Sequence, residues 1–201
     1  MNRWMPGAER HETAAQGGYG VPSRGMEATA VVHHVMEGWL STMVRWSEER
    51  PAHHEASYHF GIGMDGGIVQ FVPIDTPAWH AGRRDDSVDP TWSLWDGARN
   101  PGGHTVAVAR EGFHDKPWTP EQIDAAVRIT AWVMGEHEIA PYVATLIGHY
   151  ELNPVTRAND PGGGWDKAAM LELISPDEPE TSVLAPGDYT LPGGHRLHVQ
   201  G

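Results

Sequence analysis

The 201-residue chain carries 14 basic against 27 acidic side chains, a formal charge of −13, which argues against nucleic acid or an anionic membrane as its main partner. It has no cysteine, so disulfides and thiolate ligands are excluded and any metal must be held by His, Asp or Glu. With 39% apolar residues and nine tryptophans it suits one globular domain, and no run reaches the length of a membrane-spanning helix.

In chain order, the start MNRWMPGAERHE lacks the apolar core of a secretion signal, so synthesis in a cytoplasm without an export address is expected. Residues 1–26 show no clear period and read as an extended arm lying on the domain, pinned by Trp4. Residues 28–32 form an apolar, β-branched strand that ends in His33 and His34. A helix over 39–49 follows, with Leu40, Met43, Val44 and Trp46 as its apolar stripe and Pro51 as its stop. Residues 56–64 and 67–72 read as a hairpin turning at Asp65-Gly66, with Tyr58, Phe60 and Ile62 on one face and His59 and Gly61 on the other.

Residues 73–103, which include AWHAG, are too long for a plain connection and are read as a wall of a substrate groove. A third strand at 105–109 leads into Glu111-Gly112. Thr119, Pro120 and Gln122 make a helix start with a capping box, and Ile123, Ala126, Val127, Thr130, Ala131, Val133 and Met134 are its expected buried face up to about His137. A fourth strand from Val143 to Ile147 delivers His149, and a last helix covers 165–173. Residues 175–201 are an acidic, Pro-rich linker, SPDEPETS, and a tail that forms a short hairpin or the stump of a module. Strands interleaved with helices place the core in the α/β or α+β class.

The chemistry concentrates in LIGHYELNPVTRANDPGGGWDK, where His149 and Asp160 stand at the two ends of one loop with Arg157 between them. Imidazole and carboxylate both ligate zinc, and a catalytic zinc takes three protein ligands and keeps one position open. The third ligand is sought at the end of the first strand. His33 and His34 point to opposite faces there, so only one of them is an ordinary ligand.

Taken together, VVHHVMEG, SYHFGIGMDGGIVQFVP, AWHAG and GHYELNPVTRANDPG resemble the zinc-dependent N-acetylmuramoyl-L-alanine amidases, a family that includes phage endolysin amidases and is related to peptidoglycan recognition proteins. The resemblance covers residues 27–174 and implies a single α/β domain, a central mixed β-sheet flanked by helices with Zn2+ on one face. It favours His34 over His33, with His149 and Asp160, as the ligands. Tyr58 and Arg157 become the groups that stabilise the oxyanion, and Trp79 and His80 become substrate-binding residues.

Each assignment has a plainer alternative: an Asx turn for Asp160, a solvated loop charge for Arg157, core packing for Tyr58 and loop packing for Trp79 and His80. Where many relatives place a glutamate on the third strand this chain has Ala109, and Glu111 lies two residues on. The function implied is hydrolysis of the amide between N-acetylmuramic acid and L-alanine of bacterial peptidoglycan, in a monomeric phage endolysin. The alternatives are a cytoplasmic wall-recycling amidase or a muropeptide-binding protein without turnover.

Overall fold

The computed structural model describes residues 3–14, 16, 25–49, 56–82, 89–175, 187–190 and 196–199. Pro51 and the linker 176–186 therefore lie outside the described residues, as do 83–88 of the long stretch before the third expected strand. The elements are β1 (Glu9–Arg10), β2 (Ala30–Val35), α1 (Leu40–Glu49), β3 (Phe60–Ile62), β4 (Ile68–Gln70), β5 (Thr105–Arg110), α2 (Pro120–Glu136), β6 (Leu146–Gly148), α3 (His149–Leu152), α4 (Lys167–Ile174), β7 (Gly187–Thr190) and β8 (Arg196–Val199).

Six strands form one mixed sheet in the order β1-β4-β3-β5-β2-β6, with only the β3–β4 pair antiparallel. The expected α/β architecture is observed. β2 lies inside the sheet, paired with β5 on one side and β6 on the other, and all six of its residues are buried. A strand covered on both faces needs apolar side chains at successive positions, which is what AVV supplies before the histidines.

One face packs against α2 and α4 through Val31, Phe60, Ile62, Val106, Val108, Leu146, Ile129 and Val133. The opposite face carries Ala30, Val32 and Ile147, covered by Ala81, Trp92 and Leu152, and α1 closes its far end with Leu40, Met43 and Val44 against Val69 and Phe71.

Several expectations shift in detail. The N-terminal arm is a working edge of the sheet: β1 runs parallel to β4, Arg3 pairs with Asp75 at 2.6 Å, and the Arg10 guanidinium lies 3.9 Å over the Trp4 ring. The β3–β4 turn is as expected, with Gly66 at φ 79, but β3 begins only at Phe60. Strand alternation therefore does not extend back to Tyr58, which sits beside His34 at 5.1 Å between ring centroids instead of joining Phe60 and Ile62 in the core.

On α2 the capping box is present, but the buried face is Gln122, Ala125, Ala126, Ile129, Thr130, Val133 and Met134, while Ile123 is exposed. The helix is rotated from the expected stripe because Gln122 turns inward, donating from Nε2 to the Glu111 carbonyl at 2.9 Å. The tail residues form β7 and β8, paired antiparallel with each other.

Candidate metal centre

β2 and β6 run parallel, so their C-terminal ends open on the same edge of the sheet. His34 lies near the end of β2, and His149 follows β6 directly as the first residue of α3. The loop after α3 then returns Asp160 to the same point, where its Oδ1 accepts the Val35 backbone N–H at 2.8 Å and leaves Oδ2 turned to the histidines.

His34 Nδ1 and His149 Nδ1 are 3.0 Å apart, His149 Nδ1 and Asp160 Oδ2 are 2.9 Å apart, and His34 Nδ1 and Asp160 Oδ2 are 3.8 Å apart. Three ligands at zinc distance in a tetrahedron stand roughly 3.2–3.6 Å from one another. The observed triangle brackets that spacing. Two imidazole nitrogens and a carboxylate oxygen facing one point would repel unless something positive sits among them. One proton satisfies two of these contacts, whereas a divalent cation satisfies all three, so the donor set fits zinc. Among the described residues this is the trio of His, Asp and Glu side chains placed to hold an ion.

The electrostatics agree. Burial, with His149 alongside, pushes the His34 imidazole down to about 4, so the ring is neutral and able to ligate near pH 7. Burial works to raise the Asp160 carboxyl, but its hydrogen bonds to His149 and His34 outweigh that and hold it well below the usual carboxylate range. His149 turns its other nitrogen, Nε2, to the Ala81 carbonyl at 3.4 Å.

His33 points the other way. Its Nε2 lies 3.0 Å from Thr130 Oγ1 on α2, and its ring packs 4.7 Å from Trp165. The adjacent histidines thus divide between the two faces of the sheet, with His34 on the cavity side.

His149 and Asp160 line a cavity of about 470 Å3 whose wall also includes Tyr58, Trp79, Arg157, Glu37 and His114, and His34 lies fully buried behind them. Arg157 is exposed on the loop between the two site ends, its N–H bonded to the Asn153 carbonyl and its own carbonyl to the Asp160 N–H. His80 touches the cavity but is buried, and both of its ring nitrogens already have protein partners, His34 Nε2 and Thr105 Oγ1, each at 3.1 Å. That leaves its imidazole little to offer a substrate carbonyl.

Ala109 is fully buried in register with His34, and the Glu111 carboxylate does not reach the cavity because it accepts the Met64 N–H at 3.0 Å. Sequence reasoning passed over Glu37, whose Oε1 is 2.7 Å from His114 Nδ1 at the cavity wall. It also passed over Thr105 behind His80. Glu37 carries a signal only in hindsight of the fold, since it stands at φ 50 just past the end of β2.

Fold and site together define a mixed-sheet α/β protein with a two-histidine, one-aspartate candidate metal centre at the strand ends. A family model described as N-acetylmuramoyl-L-alanine amidase matches residues 25–163, and the chain belongs to that family. It is 31% identical over 131 residues to the 1,6-anhydro-N-acetylmuramyl-L-alanine amidase AmpD of Enterobacter cloacae, covering 63% of each chain. Against the protein of the same name from Escherichia coli K12 it is 30% identical over 125 residues, 62% of this chain and 61% of that one. The match thus spans a little over three-fifths of these relatives.

Among solved structures, a selenomethionine AmpD crystal structure superposes with a TM-score of 0.68 at 22% identity, covering 86% of this chain and 97% of the other. PlyL superposes at 0.57 with 12% identity over 83% and 96%. These superpositions show the shared fold.

Proposed function

We propose that the protein is a zinc amidase that hydrolyses the amide between the lactyl group of N-acetylmuramic acid and L-alanine, acting on released muropeptides in the cytoplasm. The observation that carries this reading is the convergence of His34 Nδ1, His149 Nδ1 and Asp160 Oδ2 within a 3.8 Å triangle at the edge of a substrate-sized cavity that His149 and Asp160 line. Zinc bound there supplies an acidified water and a polarised carbonyl.

The chain's own residues do the rest. Water adds its hydroxyl to the lactyl carbonyl carbon, the C–N bond to alanine breaks, and the leaving amine takes the proton that the water gives up. Tyr58 stands beside His34 to donate to the oxyanion or to position the water, and Arg157 brings positive charge to the same cavity. Glu37 is the cavity-lining carboxylate outside the ligand set, paired with His114 for proton handling. Trp79 on the wall offers an indole face to a sugar ring.

The choice of a released fragment over intact wall is supported by the relatives' name. A 1,6-anhydro bridge ties the anomeric carbon to the sugar's own O6, so such a muramyl unit is a chain end and not an internal residue of the glycan. The endolysin reading has only a shared fold behind it, through neighbours such as PlyL at 12% identity.

The test is to incubate the protein with a purified anhydromuramyl peptide and, separately, with intact sacculi, each with and without a chelator. Release of peptide with a free L-alanine amino terminus, faster from the fragment and abolished by chelation, is expected. New reducing sugar ends, or release that survives chelation, would refute the reading. A second reading, muropeptide binding without turnover, is favoured by one observation: no carboxylate at Ala109 and Glu111 faces the cavity. Tight binding of the fragment with no release would select it.

A further inference from the structure

A metal-binding imidazole must present a lone pair, and which of its two nitrogens does so is fixed by what the other nitrogen meets. Around His34 that question can be traced back to a group whose role is unambiguous. The Thr105 hydroxyl lies 2.8 Å from the Pro101 carbonyl, an acceptor with no proton to give, so the single hydroxyl proton of Thr105 goes there. Thr105 Oγ1 can then only accept from His80 Nε2, 3.1 Å away. A neutral His80 with its proton on Nε2 has a lone pair on Nδ1, and Nδ1 faces His34 Nε2 at 3.1 Å. His34 must therefore carry its proton on Nε2, which leaves the Nδ1 lone pair directed at His149 and Asp160. Thr105 and His34 are fully buried and His80 nearly so, so water offers little competition for these partners.

We propose that Thr105 and His80 are positioning residues that set the tautomer of His34, making the Pro101–Thr105–His80–His34 chain the device that keeps the ligand's Nδ1 unprotonated. Without the hydroxyl, His80 is free to hold its proton on Nδ1 and donate it to His34 Nε2. The His34 proton then moves to Nδ1 and occupies the position the cation needs. Thr105 touches neither metal nor substrate, and its effect runs entirely through two rings.

The consequence for affinity rests on the zinc reading above, whereas the proton positions belong to the metal-free chain and can be measured without it. Nitrogen-detected NMR of the imidazoles in the metal-free protein should show both His34 and His80 protonated on Nε2. In Thr105→Val, which keeps the shape and removes the hydroxyl, His34 should move toward the Nδ1-protonated form. Zinc affinity, read by competition with a chromophoric chelator, should fall roughly 10- to 100-fold. Thr105→Ser, which restores the hydroxyl, should recover both spectrum and affinity.

A valine variant with the wild-type tautomer and wild-type affinity overturns the proposal, as does a serine variant as weak as valine. Should the wild type fail to bind zinc, the metal reading falls, and the spectra of the three proteins still decide the relay.

Discussion

His59 is fully buried, and both of its ring nitrogens are committed: Nδ1 accepts the Ala107 N–H at 2.9 Å and Nε2 donates to the Thr76 carbonyl at 2.9 Å. Burial pushes its imidazole down to about 3, and does the same to His33 on the other face. In the unfolded chain both rings titrate near the ordinary value of about 6.5. As pH falls through that value the unfolded state binds protons that the folded state refuses. Stability is therefore lost progressively from about pH 6.5 down toward about 3, at up to roughly 1.4 kcal/mol per pH unit for each ring. Urea unfolding of the metal-free protein should show a clearly lower midpoint at pH 5.5 than at pH 7.5, with the difference reduced in His59→Gln; equal midpoints would contradict the account. The sequence made the paired histidines visible but left open which one faces the cavity. Both follow two valines on a strand buried on each side, and only the position of β2 between β5 and β6 separates them. Tyr58 was legible as a candidate, although its neighbours were not, because the bend before β3 breaks the alternation on which the expected face rested.

The loop that carries Asp160 owes Gly162 and Gly163 to close passage over the segment after β5. A side-chain carbon on Gly163 would lie 1.6 Å from the Lys116 carbonyl oxygen, and one on Gly162 would lie 2.5 Å from His114 Cα. Gly163 also donates to the His114 carbonyl at 2.7 Å, and Arg110, fully buried, holds the same segment by donating to the Phe113 and Lys116 carbonyls at 2.9 Å each. Gly163→Ala has no room, so the loop must lift and take Asp160 with it. A melting temperature lower by several degrees and zinc affinity reduced at least tenfold are expected, the first by calorimetry and the second by chelator competition; unchanged affinity would mean that Asp160 is not held by this contact. From sequence alone an Asx turn at Asp160 was only the plainer alternative to its ligand role, and what the glycines pass against was not legible. The α2 start was readable from Thr119, Pro120 and Gln122, while its buried face was not, since the inward pull on Gln122 comes from a carbonyl of another element.

Across the whole chain, the sheet brings together imidazoles 115 residues apart and a carboxylate 11 residues beyond the second. An ion at that point would tie β2 to the C-terminal part of the domain in a molecule with no disulfide. Free zinc at about 100 times its dissociation constant would add roughly 2.7 kcal/mol to stability. For a domain of this size that corresponds to a melting temperature higher by roughly 5–10 °C. Calorimetry with and without zinc should show the rise in the wild type and none in His149→Ala; a rise in both would place the stabilising ion elsewhere. The α/β class and the order of strands and helices were legible at this scale because hydrophobic periodicity and cap residues are local signals. The edge pairing of β1 with β4 was not, since nothing in Glu9 and Arg10 names a partner some 60 residues on.

The opposite side of β2 has a consequence of its own. His33 lies 4.7 Å from Trp165 and 5.9 Å from Trp118, and the backbone N–H groups of those two residues donate to Gly162 and Gly163 of the loop that carries Asp160. An ion in the centre would hold both the strand and the loop that flank this indole pair. The intensity or wavelength of tryptophan emission should therefore change in step with zinc added to the metal-free protein, an optical gauge of occupancy that needs neither label nor substrate; emission that zinc leaves unchanged would contradict the coupling.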